Sequence, residues 1–454
     1  MTINGPARLP SLLCKTALRH FLVLIALPLL ASFPRKPMHP RRIMLSLSVI
    51  FTMTLSLNAD RFDWPQWRGL DRTGRTTEAD LLKEWPESGP EQLWVTRDVG
   101  LGYSGPAVVG NRLVTMGLRG EAEQLICLDV ETGQELWTVD VGGLYENGWG
   151  DGPRSTPTVD EDRVYALGAK GDLVCVRLAD GEMEWRTTLT DFGGAIPNWG
   201  YSESVLIDGD RLLCTPGGDQ GAILALDKKT GEKIWQTADF TDPAHYASII
   251  VAEHDGQRQY IQLTEQSVVG IAADSGNVLW QTPWPGRVAV VPTPIFANGH
   301  VYVSSGYGVG CDLFRIANDG TVESVYDDRS KKVLKNHHGG VILVDDHLYG
   351  YSDGVGWVCQ ELMSGKMVWR DRESLGKGSL CFADGRLYCV DKDGGEVVLI
   401  AATPDGWEEH GRFKLSPQTE LRKPKGRIWT HPVVANGKLF LRDQELLFCY
   451  DVKE

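Results

Sequence analysis

From residue 91 to the C-terminus the chain alternates short apolar runs with polar turns. Nowhere in that stretch do apolar residues keep the 3.6-residue spacing of an amphipathic helix, so the pattern is one of short strands. One phrase recurs, a turn followed by a strand that ends in tryptophan: Thr132-Gly133-Gln134-Glu135-Leu136-Trp137, Asp180-Gly181-Glu182-Met183-Glu184-Trp185, Thr230-Gly231-Glu232-Lys233-Ile234-Trp235, Ser275-Gly276-Asn277-Val278-Leu279-Trp280 and Ser364-Gly365-Lys366-Met367-Val368-Trp369. Successive tryptophans lie 48, 50, 45 and 89 residues apart, the last interval being two periods. A degenerate copy, residues 319–326, falls inside that interval, and a weak copy ends near Phe413. Trp94 closes a similar strand with no turn before it.

A second phrase fills each interval: an apolar run, a tight turn and another apolar run. It occurs eight times, at residues 106–113, 157–164, 205–212, 248–261, 294–301, 341–348, 380–387 and 432–439. Asn298-Gly299, Asp384-Gly385 and Asn436-Gly437 are strong hairpin signals. With the strand of the Leu224-Ala225-Leu226-Asp227 type and the strand that ends in tryptophan, each period encodes four strands. Four strands per repeat of this length describe a propeller blade. The predicted fold is all-β: an eight-bladed β-propeller of four-stranded antiparallel blades with tryptophan-docking motifs. The last copy supplies three strands and then the chain ends. The strand carrying Trp94 is therefore expected to complete blade eight and close the ring.

Trp94, Trp137, Trp185, Trp235, Trp280 and Trp369 are read as structural docking residues, since a catalytic constellation would occur once and not in every repeat. Four of the nine cysteines, Cys127, Cys175, Cys359 and Cys449, occupy one repeat position, where another copy has Ala225. A site that takes either Ala or Cys is a tight packing position. Copies in different blades are not expected to pair, so these are read as buried thiols.

Composition changes this picture mainly at the N-terminus. Residues 1–59 hold seven basic side chains and no acid, against a formal charge of -14 for the whole chain. The body is therefore acidic and unsuited to nucleic acid. The basic start carries two apolar runs too short to span a bilayer and reads as a targeting segment. Its second run follows Arg41-Arg42 and ends at Leu57-Asn58-Ala59, which places a signal peptide at residues 38–59, with residues 1–37 as an over-long gene start. Sec and twin-arginine export both fit, and so does an uncleaved anchor. Residues 60–90 form a lead-in and residues 91–454 the propeller. An exported monomer, periplasmic or extracellular and without a stable membrane span after signal removal, is the expectation.

The repeated phrases resemble the pyrroloquinoline-quinone (PQQ) repeat superfamily over about residues 91–454. Asp63-Trp64-Pro65-Gln66-Trp67-Arg68-Gly69 resembles the lead-in of exported bacterial PQQ-like propellers. The resemblance implies one of two functions. Quinoprotein alcohol dehydrogenases hold PQQ and Ca²⁺ in the central funnel, whereas propellers such as the lipoprotein of the outer-membrane assembly machine bind no cofactor. Those dehydrogenases carry two adjacent cysteines, and this chain has no Cys-Cys pair. Glu203 and Asp151 lie in loops suited to a base or a cation, but nothing in the sequence pairs them. The expected function is a noncatalytic binding or scaffold module with no catalytic residue, metal or cofactor. The alternative is a PQQ- and Ca-dependent dehydrogenase. A protein, peptide or saccharide is the expected partner.

Function should concentrate just before the innermost strand of each blade, where residues face the axis. Aligning the copies places Tyr103, Arg154, Ser202, Tyr246, Val291, His338, Lys377 and Trp429 at one level, with Glu203, His337 and His431 beside them. Docking positions repeat from copy to copy and these do not, as a non-repeating ligand would require. His337 and His338, if consecutive on a strand, would face opposite sides. The aromatic loop of residues 193–201 is either a ligand cover or a plain blade connection.

Overall fold

Each period folds into one four-stranded antiparallel sheet, and eight such sheets form the ring in the computed structural model, which describes residues 62–454. The targeting segment expected over residues 1–59 lies outside the described residues. Blades 1 to 7 span residues 107–143, 158–188, 206–236, 250–283, 295–324, 341–371 and 378–414. Blade 8 combines residues 433–451 with the strand Gln92–Thr96, in which Trp94 pairs with Cys449. The first strand of each blade is innermost, and those of blades 1 to 3 and of blades 6 to 8 neighbour one another in turn.

Register explains the small third-strand residue. Cys127 lies opposite Trp137, Cys175 opposite Trp185, Ala225 opposite Trp235, Gly270 opposite Trp280 and Cys359 opposite Trp369. An indole on one strand leaves room for only a small partner across the ladder. Where the fourth strand has Ser324 or Gly411, the third has Phe314 or Leu399, which restores the volume. A β-bulge follows at the same point, between Cys127 and Leu128 and at its equivalents. All eight described cysteines are buried and free. Burial pushes the Cys127 and Cys175 thiols up to about 12.

Docking joins each blade to the next. The indole N–H of Trp137 donates to the Leu178 carbonyl (3.0 Å), and those of Trp94, Trp185 and Trp369 donate to Val130, Lys228 and Thr403. In the degenerate copy Tyr326 replaces the indole and its hydroxyl donates to Leu362. Trp280 departs from the expected pattern. Gly270 leaves space behind it, and its N–H donates to Gln259 of its own blade (2.6 Å), though the ring still packs between blades 4 and 5.

The lead-in crosses the central channel. Trp64 exchanges backbone hydrogen bonds with Val108 of blade 1, and Pro65 accepts from Val159 of blade 2. Arg68 donates to Val341 of blade 6, Arg72 to Ser204 beside blade 3, and Thr76 to Phe382 of blade 7. Both guanidinium groups are buried, and loss of hydration lowers each to about 10. Farther on, Gly89 lies against the ring of Phe413, as the turn glycine Gly231 lies against Trp185. The lead-in thus supplies blade 8 with the turn that its split chain lacks.

Candidate functional site

The segments that precede the innermost strands turn over the top of the channel and are tied to one another. Tyr103 donates its backbone N–H to Pro153, Tyr246 donates to Val290, and the Thr430 hydroxyl donates to Tyr103. They enclose a cavity of about 340 Å³. Its lining includes Tyr103, Arg154, Ser202, Tyr246, Val291, His337, His338, Trp429 and His431. The volume lies in the ~300–1,000 Å³ range of small-molecule pockets.

Aromatic rings dominate the walls. Trp429 lies 5.0 Å from Tyr103 and 6.3 Å from Trp149, between ring centroids. Trp199 meets Tyr246 edge-on at 5.7 Å. Trp67 forms the floor against His431 (4.7 Å), its indole N–H held by Thr293. Arg154 lies over the faces of Tyr103 and Tyr145, and its terminal nitrogens donate to the Gly150 and Gly152 carbonyls.

Three histidines share the site. Asn336 clamps a turn through Gly340 and Tyr351, so His337 and His338 sit on bent backbone and both face the cavity. Strand alternation therefore does not separate them. Lys377 donates to His337 Nδ1 (2.8 Å), leaving Nε2–H to donate to the Tyr307 hydroxyl oxygen (2.8 Å). His431 Nε2–H donates to the His338 carbonyl (2.7 Å). Burial, with Lys377 second, brings His337 down to about 4, and burial brings His431 to about 4. All three rings are neutral near pH 7. His338, only 8% exposed, has no hydrogen-bond partner on either ring nitrogen.

Two expected residues lie elsewhere. Glu203 points between blades, where it accepts from the backbone N–H of Thr215 (2.7 Å) and from Gln262 (3.3 Å). Next to Ser202 in sequence, it takes the opposite side of the chain. Lys377 sits behind His337, paired with Asp353 (2.6 Å), and does not line the cavity. Sequence reasoning missed Trp67, Trp149 and Tyr307, which line it together with Trp199 of the aromatic 193–201 loop. The phrases Asn147-Gly148-Trp149-Gly150 and Asn198-Trp199-Gly200 carried a signal: a tryptophan between turn residues, outside the docking register. Trp199 gives the 193–201 loop a wall of the cavity.

The site does not fit PQQ with Ca²⁺. Calcium requires converging oxygen ligands, and no carboxylate lines the cavity among the described residues. Asp151 is engaged by Lys423 (2.7 Å).

Comparison with known proteins gives a consistent family. A profile described as "Outer membrane protein assembly factor BamB" matches residues 121–371. The protein of that name from Burkholderia pseudomallei is 27% identical over 291 residues, covering 55% of this chain and 74% of that protein. The one from Salmonella typhimurium is 24% identical over 173 residues, covering 36% of this chain and 40% of that protein. Among solved structures, BamB from Moraxella catarrhalis aligns with a TM-score of 0.56 at 16% identity, covering 80% of this chain and 98% of that one. Quinohemoprotein alcohol dehydrogenase from Comamonas testosteroni aligns at 0.59 with 12% identity, covering 86% and 80%. At such identities the structures share the fold alone.

Proposed function

The chain belongs to the PQQ-repeat family described as outer membrane protein assembly factor BamB, and on that footing we propose that it is an exported, noncatalytic propeller that binds a partner during assembly of the cell envelope. Its relatives carry the name of assembly factors, which favours a protein partner at the ring. The aromatic cavity at the mouth is a recognition site apart from that protein contact, with Tyr103, Arg154, Ser202, Tyr246, His338 and Trp429 as its residues. The observation that carries it is the lining: aromatic rings, neutral imidazoles and the Arg154 guanidinium, without, among the described residues, the carboxylate that would serve as a base or a calcium ligand.

Purified protein incubated with PQQ and Ca²⁺ tests the reading. The expected outcome is no quinone absorbance retained after gel filtration and no alcohol-dependent reduction of an artificial dye. Retained quinone with dye reduction would establish a dehydrogenase and overturn the proposal.

A further inference from the structure

The cavity has a chemistry more specific than apolar. Its largest surfaces are indole faces: Trp67 below, Trp149 and Trp429 on one side and Trp199 on another. Such faces accept any flat apolar surface, and they do not by themselves choose a ligand. The choice comes from the polar groups between them.

His338 is the decisive group. It is buried, lines the cavity, touches His337 (4.9 Å) and Trp429 (6.0 Å) with its ring, and leaves both nitrogens unpartnered. A neutral imidazole presents one donor and one acceptor. Leaving a buried polar group unpaired is costly, so the site favours a ligand that both accepts and donates there. Hydroxyls supply both kinds of partner, one accepting from the ring N–H and another donating to the second nitrogen.

The tyrosines repeat the demand. Because His337 donates to the Tyr307 oxygen, the Tyr307 proton is free to donate outward. The Tyr246 oxygen likewise accepts from the Trp199 backbone N–H (3.4 Å), leaving its own proton free. Charge narrows the field further. No carboxylate lines the cavity among the described residues, and Lys425 lies over the Trp149 ring at 5.4 Å. A quaternary ammonium or lysine ligand therefore finds no counter-ion and meets a like charge at the rim.

We propose that the funnel cavity is a saccharide site, in which sugar C–H faces stack on Trp67, Trp149, Trp199 and Trp429 while sugar hydroxyls pair with His338, Tyr246 and Tyr307. The proposal names the ligand of the recognition site and so rests on the noncatalytic reading. A neutral sugar has the required alternation, apolar on its ring faces and hydroxylated around its edge. A peptide fits less well, because its backbone amides seek a strand edge and the cavity walls are side chains.

The full protein is titrated with a panel of neutral gluco-, galacto- and manno-configured disaccharides and tetrasaccharides, following tryptophan fluorescence and calorimetry. At least one is expected to bind saturably at a single site. H338F, which keeps a flat aromatic ring and removes both nitrogens, and W149A, at a residue that is 42% exposed, are each expected to weaken that binding about tenfold or more. Thermal melts confirm that both variants fold. No saturable saccharide binding to the wild type, unchanged affinity in both variants, or tighter binding of a proline-rich peptide or of choline overturns the proposal. The failures are separable. Dye reduction driven by a bound sugar sinks the noncatalytic reading and leaves the sugar site standing, whereas absent sugar binding without dye reduction sinks this inference alone.

Discussion

At the scale of single residues, the docking indole and the small residue across from it form one unit. Trp185 is 9% exposed, packs over Tyr165, faces Cys175 in register and donates to Lys228. Removing it opens a gap between blades 2 and 3 that neither sheet can collapse to fill. Trp185→Ala is expected to cost about 3–5 kcal/mol in urea unfolding. Trp235 is only half-buried and its indole N–H has no partner, so Trp235→Ala should cost less than Trp185→Ala in the same assay. Buried Glu203 makes a second prediction, in pH. Burial raises its carboxyl from 4.5 to about 7, against the opposing pull of Thr215 and Arg72. The folded state therefore holds the proton more tightly than the unfolded one. That contribution to stability is complete below pH 4.5 and is lost as pH rises through 7. Glu203→Gln mimics the protonated form. The wild type should lose stability relative to this variant between those pH values, on the order of 3 kcal/mol by linkage. Parallel curves of melting temperature against pH for the two proteins would contradict it.

At the scale of the element, the turn between third and fourth strands does two jobs. Asp227 accepts from the backbone of Lys229 and Thr230, which shapes the turn. Gly231 then takes φ +73° and lies flat against Trp185, where an added Cβ would come within 2.8 Å of the indole. Gly231→Ala is expected to cost about 2–3 kcal/mol, from left-handed backbone and from the displaced ring together. Gly209→Ala is the control: φ is +60° there and nothing lies within 4 Å of the new methyl, so only the backbone share, about 1 kcal/mol, should appear. Equal losses at the two sites would mean that the turn does not clamp the indole. These elements were legible in the sequence because each recurs, as does Cys127 opposite Trp137. The cavity was legible only in part. The residues before each inner strand could be aligned, which found Tyr103, Arg154 and Trp429. Trp149 and Trp199 stand in connections that have no repeat to align with. Trp67 reaches the floor from a segment whose path across the channel no local pattern encodes. Glu203 fell among the candidates because adjacent residues on extended chain take opposite sides, and sequence position alone does not say which side faces the axis.

At the scale of the whole molecule, a propeller is stable only if its last blade meets its first, and three devices cooperate here. The strand Gln92–Thr96 pairs with Leu446–Asp451 and sets Trp94 against blade 1. Arg442 of blade 8, 1% exposed, donates to the carbonyls of Ser104, Met116 and Gly100 and to the Thr115 hydroxyl, stapling the two blades. The lead-in then ties both to the far side of the ring through the channel. The first and third devices can be removed together. A chain that begins at residue 97 lacks the closing strand and the lead-in, which leaves Leu446–Asp451, with Leu447, Phe448 and Tyr450, as an unpaired apolar edge. An exposed edge of that kind recruits another strand. The truncated chain is expected to melt at a lower temperature and to self-associate as its concentration rises, while Arg442 still holds the first and last blades near each other. Light scattering coupled to gel filtration across a concentration series reads the second effect, and a thermal melt reads the first. A monomer at every concentration with an unchanged melting temperature would show that the ring closes without its N-terminal strand.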